Sequence, residues 1–137
     1  MQDKITISAT INAPAQMVWE YYTKPEHITH WNFASDDWQC PRAENDVSVG
    51  GKYKARMEAK DGSYGFDFEA IYDEVIDQKK ITYTLADGRL VSTDFESAGE
   101  QTIVTTVFDA ENSHSLEMQQ TGWQAILDNF KKYVEAN

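Results

Sequence analysis

The dipeptide Asp61-Gly62 constrains the fold more than any other feature, because it lies between two runs in which apolar and polar residues alternate. Asp-Gly favours a tight hairpin, since both central positions of such a turn need a backbone that tolerates positive φ. Taken as a two-residue turn, it sets Met57 against Phe66, Ala55 against Phe68 and Tyr53 against Ala70. On the opposite face Arg56 then meets Asp67, and Lys54 meets Glu69. One face is apolar and the other is built from complementary charges. A slip of one residue would destroy both patterns, so the hairpin must lay its apolar face on a core.

The rest of the chain supplies that core. Ile5, Ile7, Ala9 and Ile11 alternate with polar residues, the signature of a half-buried strand. Asn12-Ala13-Pro14 reads as a helix start, with Asn12 as N-cap and an apolar stripe of Val18, Trp19 and Tyr22. Pro25 ends this helix, and a second short one is expected over Glu26–Trp31. Ala86-Asp87-Gly88 marks a second hairpin. A three-residue loop with Gly88 left-handed aligns Tyr83 with Val91 and Ile81 with Thr93, whereas a two-residue turn would change the facing pairs. A third turn is expected near Gly99-Glu100, before a strand from Thr102 to Phe108. The last segment, about Ser115–Glu135, carries Trp123, Ile126, Leu127, Phe130 and Val134 on one helical stripe. The expected fold is α+β: a strongly curved antiparallel sheet of roughly six or seven strands wrapped around one long C-terminal helix, with two short helices after the first strand. A single helix under such a sheet commonly leaves a cavity. No linker or repeat interrupts residues 1–137, which are read as one domain.

Three segments carry a family resemblance: INAPAQMVWEYYTKPEHITHW, VGGKYKARMEAKDG and TGWQAILDNFKKYVE. In this order and spacing they resemble the START/Bet v 1-like (SRPBCC) superfamily. Within it they resemble the C-terminal domain family of the heat-shock protein 90 ATPase activator, in its small stand-alone bacterial form. The segment ASDDWQCPRAENDVSVGG resembles a subgroup signature of those members. The resemblance implies a helix-grip fold with a hydrophobic cavity. It also implies a range of activities, from binding of apolar molecules to enzymes and chaperone contacts.

Composition narrows the function. A net charge of −11 with scattered basic residues disfavours nucleic acid and anionic membrane surfaces as partners. No apolar run reaches the ~20 residues of a membrane span, the start MQDKITISATINAPA lacks the marks of a signal peptide, and the single cysteine fits a reducing compartment; the cytoplasm is expected. The segment PEHITHWNFASDDWQC gathers His27, His30, Asp36, Asp37 and Cys40, residue types that can ligate zinc. Their spacing matches no recognised zinc pattern, so neither metal nor cofactor is expected. Asp36 and Asp37 read as solvated or turn-capping residues, Cys40 as a small buried hydrophobe, and Gly50-Gly51 as a bend.

The function favoured is binding of a small hydrophobic or amphipathic ligand between sheet and C-terminal helix, rather than catalysis. A cyclase- or hydrolase-like enzyme and a chaperone-interaction module are the alternatives, and the sequence leaves the oligomeric state open. Candidate lining residues are Tyr53, Met57, Phe66, Phe68 and Tyr72 from the first hairpin, with Tyr83 and Phe95 from the second. Trp123, Leu127 and Phe130 are the candidates on the last helix. Trp31, Phe33 and Trp38 are candidates for the cavity mouth, where tryptophan offers a large apolar face and one donor. The reading of His27 and His30 has a direct check: neither zinc nor a chelator should change the melting temperature, since a metal held by the native state would stabilise it.

Overall fold

In the computed structural model, which describes residues 3–137, the opening alternation forms strand β1 (Lys4–Ile11), with Ile5, Ile7 and Ile11 buried. Helix α1 (Ala15–Thr23) follows, and its N-cap is Pro14 rather than Asn12. Asn12 is used differently: its N–H donates to Glu135 Oε2 at 2.8 Å, tying the first strand to the last helix. Helix α2 (Pro25–Ile28) is shorter than Glu26–Trp31, and Pro25 itself opens it with the φ that proline presets. The chain continues to Trp31 in turns closed by the His30 N–H to His27 carbonyl bond at 2.9 Å.

Strands β2 (Trp38–Gln39) and β3 (Ala43–Asn45) both pair with β4 (Lys52–Ala59). They raise the sheet to eight strands, against the six or seven expected. Next come β5 (Gly65–Ile76), β6 (Lys80–Leu85), β7 (Leu90–Ala98) and β8 (Gln101–Asp109). The order is β1-β8-β7-β6-β5-β4-β2, antiparallel throughout, with β3 also against β4.

The β4–β5 register is the one expected, with Met57 opposite Phe66, Ala55 opposite Phe68 and Tyr53 opposite Ala70. The turn itself is looser. Pairing ends where the Ala59 N–H donates to the Tyr64 carbonyl at 2.9 Å, leaving a loop over 60–63 centred on the same dipeptide. A loop that grows by one residue on each side keeps the register. On the outer face Arg56 lies 3.7 Å from Asp67, while Glu69 reaches diagonally to Lys52 at 2.6 Å instead of to Lys54. Such exposed pairs contribute little energy, so their effect is on which face turns outward. In the second hairpin Gly88 takes φ +93° in a three-residue loop, and Tyr83 faces Val91 while Ile81 faces Thr93. The third turn, at Gly99-Glu100, joins the pair Ala98 and Gln101.

Helix α3 (Leu116–Ala136) is capped by Ser115, whose Oγ accepts the Met118 N–H at 3.1 Å. Leu127, Phe130 and Val134 are buried, and Trp123 and Ile126 pack half-buried beside them. The helix runs along β1, the edge strand of the sheet. Gln120, Gln124 and Lys131 donate to the outward carbonyls of Thr6, Ser8 and Thr10 at 3.3, 3.0 and 2.7 Å. Side chains of α3 thereby satisfy an edge that would otherwise invite pairing with another chain. No helix among the described residues is long and apolar enough to cross a membrane. Replacing Ser115 by Ala should cost about 1 kcal/mol in urea unfolding by removing the cap bond; an unchanged midpoint would mean the first turn of α3 adds nothing to stability.

Candidate functional site

Between the concave face of the sheet and α3 lies a recess of about 250 Å³. Its floor comes from Tyr53 and Met57 on β4, Phe66 and Phe68 on β5, and Tyr83 on β6. Ile7 on β1 and Thr106 on β8 complete the sheet side. Trp123, Ile126 and Leu127 of α3 form the roof, and Tyr22, Trp31 and Asn32 close one end. Arg89, directly after the β6–β7 loop, also borders it. Phe66 is 41% exposed and Phe68, Arg89 and Trp123 are half-buried, so these residues mark the open side.

The recess thus brings together Trp31, Tyr53, Met57, Phe66, Phe68, Tyr83, Trp123 and Leu127 of the residues singled out from the sequence. The other five lie elsewhere. Phe33 borders a separate shallow depression with Ala125, Asp128 and Asn129 on the outer flank of α3. Trp38 sits on the edge strand against Tyr64 and Phe66, ring centroids 6.0 and 6.3 Å away. Tyr72 is 2% exposed and is held in the core by its hydroxyl, which donates to Asn45 Oδ1 at 2.6 Å. Asn45 in turn donates to the Thr23 carbonyl at 2.7 Å. Phe95 packs on Trp19 and Tyr22, and Phe130 on Tyr22 and Trp31. Tyr72, Phe95 and Phe130 point inward, but at levels where helices α1 and α3 fill the space. Ile7, Tyr22, Asn32, Arg89, Thr106 and Ile126 line the recess without having been singled out. Tyr22 and Ile126 were visible only as members of helical apolar stripes. Nothing in the local sequence marks Asn32, Arg89 or Thr106.

The lining is aromatic but not dry of polar atoms. Asn32 Nδ2 donates to the Tyr53 hydroxyl at 3.1 Å, and the Thr93 and Thr106 hydroxyls lie 2.9 Å apart. Burial pushes the Tyr22 phenol up, opposed by hydrogen bonding to those two threonines. Burial also raises Tyr53, Tyr72 and Tyr83, and each is raised further by the other buried phenols nearby. Tyr83 is 6% exposed, and its hydroxyl makes no hydrogen bond among the described residues. Yet no fully buried side-chain polar atom among the described residues lacks a partner. The Tyr83 hydroxyl therefore borders the open space of the recess.

The residues of PEHITHWNFASDDWQC that could ligate zinc are spread out. His27 Nδ1 is 2.7 Å from the Tyr133 hydroxyl and its ring stacks on Tyr21, while His30 stacks on Tyr133. Both imidazoles are thus held against α3. Asp36 and Asp37 are exposed, and Asp37 accepts a hydrogen bond from Ser35. The Cys40 thiol is buried, and burial pushes it up to about 11, which keeps it protonated and unreactive near neutrality. At the Gly50-Gly51 bend, a Cβ on Gly51 would lie 2.1 Å from the Asp46 carbonyl, so the close approach requires glycine.

Fold and recess together define a helix-grip domain of the Bet v 1-like class. The family described as "Activator of Hsp90 ATPase homolog 1-like protein" matches residues 12–135, and the chain belongs to it. The solution structure of an AHSA1-like protein from Aeromonas hydrophila is 44% identical, with a TM-score of 0.92 over 98% of this chain and 93% of that one. A Cytophaga hutchinsonii protein solved in solution is 45% identical, with a TM-score of 0.84 and the same coverage of each chain. A crystal structure from Chromobacterium violaceum shares the fold at 21% identity, TM-score 0.86, covering 98% of both chains. No functionally curated protein matches the chain.

The raised phenols give the fold an alkaline limit. A phenol that binds its proton more tightly when folded contributes stability fully present below the unfolded value near ~10, and lost as pH rises toward its higher folded value. Tyr22, Tyr53, Tyr72 and Tyr83 act in the same direction. Unfolding followed by circular dichroism should show stability falling steeply above about pH 10, with tyrosinate absorbance rising in step with unfolding. Smooth ionisation of all tyrosines in a protein that stays folded would contradict this burial.

Proposed function

We propose that the recess binds a small apolar or amphipathic molecule. The observation that carries this reading is unfilled space between α3 and the sheet, walled by aromatic rings and opened at one side. Cores normally pack without voids larger than a water molecule. About 250 Å³ is the share of roughly eight waters, or room for a ligand of about a dozen non-hydrogen atoms. Rings and Met57 supply the apolar contact, and the Tyr83 hydroxyl supplies an unsatisfied polar group that a ligand can meet.

Catalysis in the same recess is the weaker reading. The residues lining it include no carboxylate, imidazole or thiol, and its phenols are pushed away from neutral ionisation. The family's description makes a chaperone contact the other alternative, which co-purification with the chaperone would favour. We take residues 1–137 as one domain of this kind, acting in the cytoplasm, a setting in which the lone Cys40 stays reduced.

Met57 decides between ligand site and plain core, since it faces Phe66 midway along the floor. Met57→Trp should fill the space a ligand needs, so the variant should stay folded and stop taking up a hydrophobic dye that the parent binds. If the site is instead tightly packed, the larger ring should cost on the order of 1–3 kcal/mol. A destabilised variant of a parent that never bound the dye would end the ligand reading.

A further inference from the structure

The recess contains one feature that an apolar binding site does not need. Arg89 is the only charged residue among the described residues that line it. Its side chain is just 19% exposed although it follows an exposed hairpin loop. The loop fixes the arm. Asp87 Oδ1 accepts the Arg89 N–H at 3.1 Å, and Asp87 Oδ2 accepts from Arg89 Nε at 2.8 Å. The Arg89 carbonyl accepts the Leu85 N–H at 2.8 Å. No further hydrogen bond to the guanidinium is made among the described residues, which leaves its two terminal nitrogens for another partner. Arg89 borders both the recess and a second depression beside Glu111 and His114, and an arginine held at Nε with its terminal nitrogens free is suited to take a planar oxyanion.

We propose that Arg89 receives the head group of the ligand, and that the recess selects small amphipathic carboxylic acids. This rests on the ligand reading above and adds the ligand's charge and orientation. The carboxylate pairs with the guanidinium at the open side, and the apolar body lies inward over Met57 and under Leu127. The Tyr83 hydroxyl is a second donor along the path. Long-range electrostatics work against an acid, because the chain carries a net charge of −11. The nearby acids are already engaged: Asp109 holds Lys4 Nζ at 2.6 Å and the Leu90 N–H at 2.9 Å, and Glu111 holds the His114 N–H at 2.7 Å. Asp87 remains on Nε and is more than half exposed, so water weakens its claim on the guanidinium. At physiological ionic strength the distant charges are screened beyond about 8 Å, and the contact at Arg89 decides.

Three probes carry a phenyl ring on a four-carbon chain and differ at the terminal carbon, as anion, neutral alcohol and cation: 4-phenylbutyrate, 4-phenylbutanol and 4-phenylbutylamine. Calorimetric titration of the whole chain at physiological salt should bind the acid about ten-fold tighter than the alcohol, and the amine more weakly than either. Arg89→Gln should bring the ratio of acid to alcohol affinity close to one, and Arg89→Lys should restore part of it. Equal affinity of the parent for acid and alcohol would overturn the role of Arg89 and leave the ligand site standing. So would an acid preference that survives Arg89→Gln. If none of the three binds, the ligand reading of the recess fails, and the proposal fails with it.

Discussion

Helix α3 is anchored along the edge strand β1, and the interior of the protein follows from that anchorage. The outward carbonyls of Thr6, Ser8 and Thr10 take hydrogen bonds from Gln120, Gln124 and Lys131, and the Asn12 N–H takes Glu135. These contacts recur along four turns of helix, so α3 cannot slide inward without leaving strand-edge groups unpaired. The same contacts blunt the edge against association with other chains. The helix therefore sits where the edge holds it rather than where it would best fill the sheet.

A curved sheet of eight strands offers a wider concave face than one helical stripe can cover. Toward its C-terminal half α3 is backed by α1 and α2, and Tyr22, Trp31, Phe95 and Phe130 close into solid core. Toward its N-terminal half Trp123 reaches down, stacked on Phe108 at 3.9 Å. The space left beside that contact is the recess. Tyr22, Tyr53 and Tyr83 show how the fold tolerates polar atoms next to the gap. Tyr53 is paired with Asn32 and Tyr22 with the Thr93–Thr106 couple, and the Tyr83 hydroxyl borders the space itself.

The parts of this arrangement that the sequence shows are those governed by local chemistry. Asp61-Gly62 and Gly88 carry turn geometry in their own residue types, and alternation around them carries the face, so the first hairpin register is legible and the second is narrowed to two, of which the three-residue loop is the one formed. The apolar stripe of α3 and its start near Ser115 are legible for the same reason. Strands β2 and β3 are not, because two- and three-residue strands have too few positions to show a period. The recess is half legible. Inward orientation of Tyr72, Phe95 and Phe130 follows from periodicity, but their depth depends on where α1 and α3 dock. Tyr72 also precedes a register shift in β5 that sequence periodicity does not announce. Arg89 reads as a solvated loop cation until the fold turns it toward the recess.

A ligand site between α3 and the sheet requires that this space accept a molecule. The direct measurement is a set of intermolecular NOEs between bound 4-phenylbutyrate and the methyl groups of isotopically labelled protein. Contacts are expected from the phenyl ring to the Met57 and Leu127 methyls, with the methylene nearest the carboxylate closest to the Arg89 side. Contacts confined to Ala34 and Ala125, in the outer depression beside Phe33, would contradict the site between α3 and the sheet.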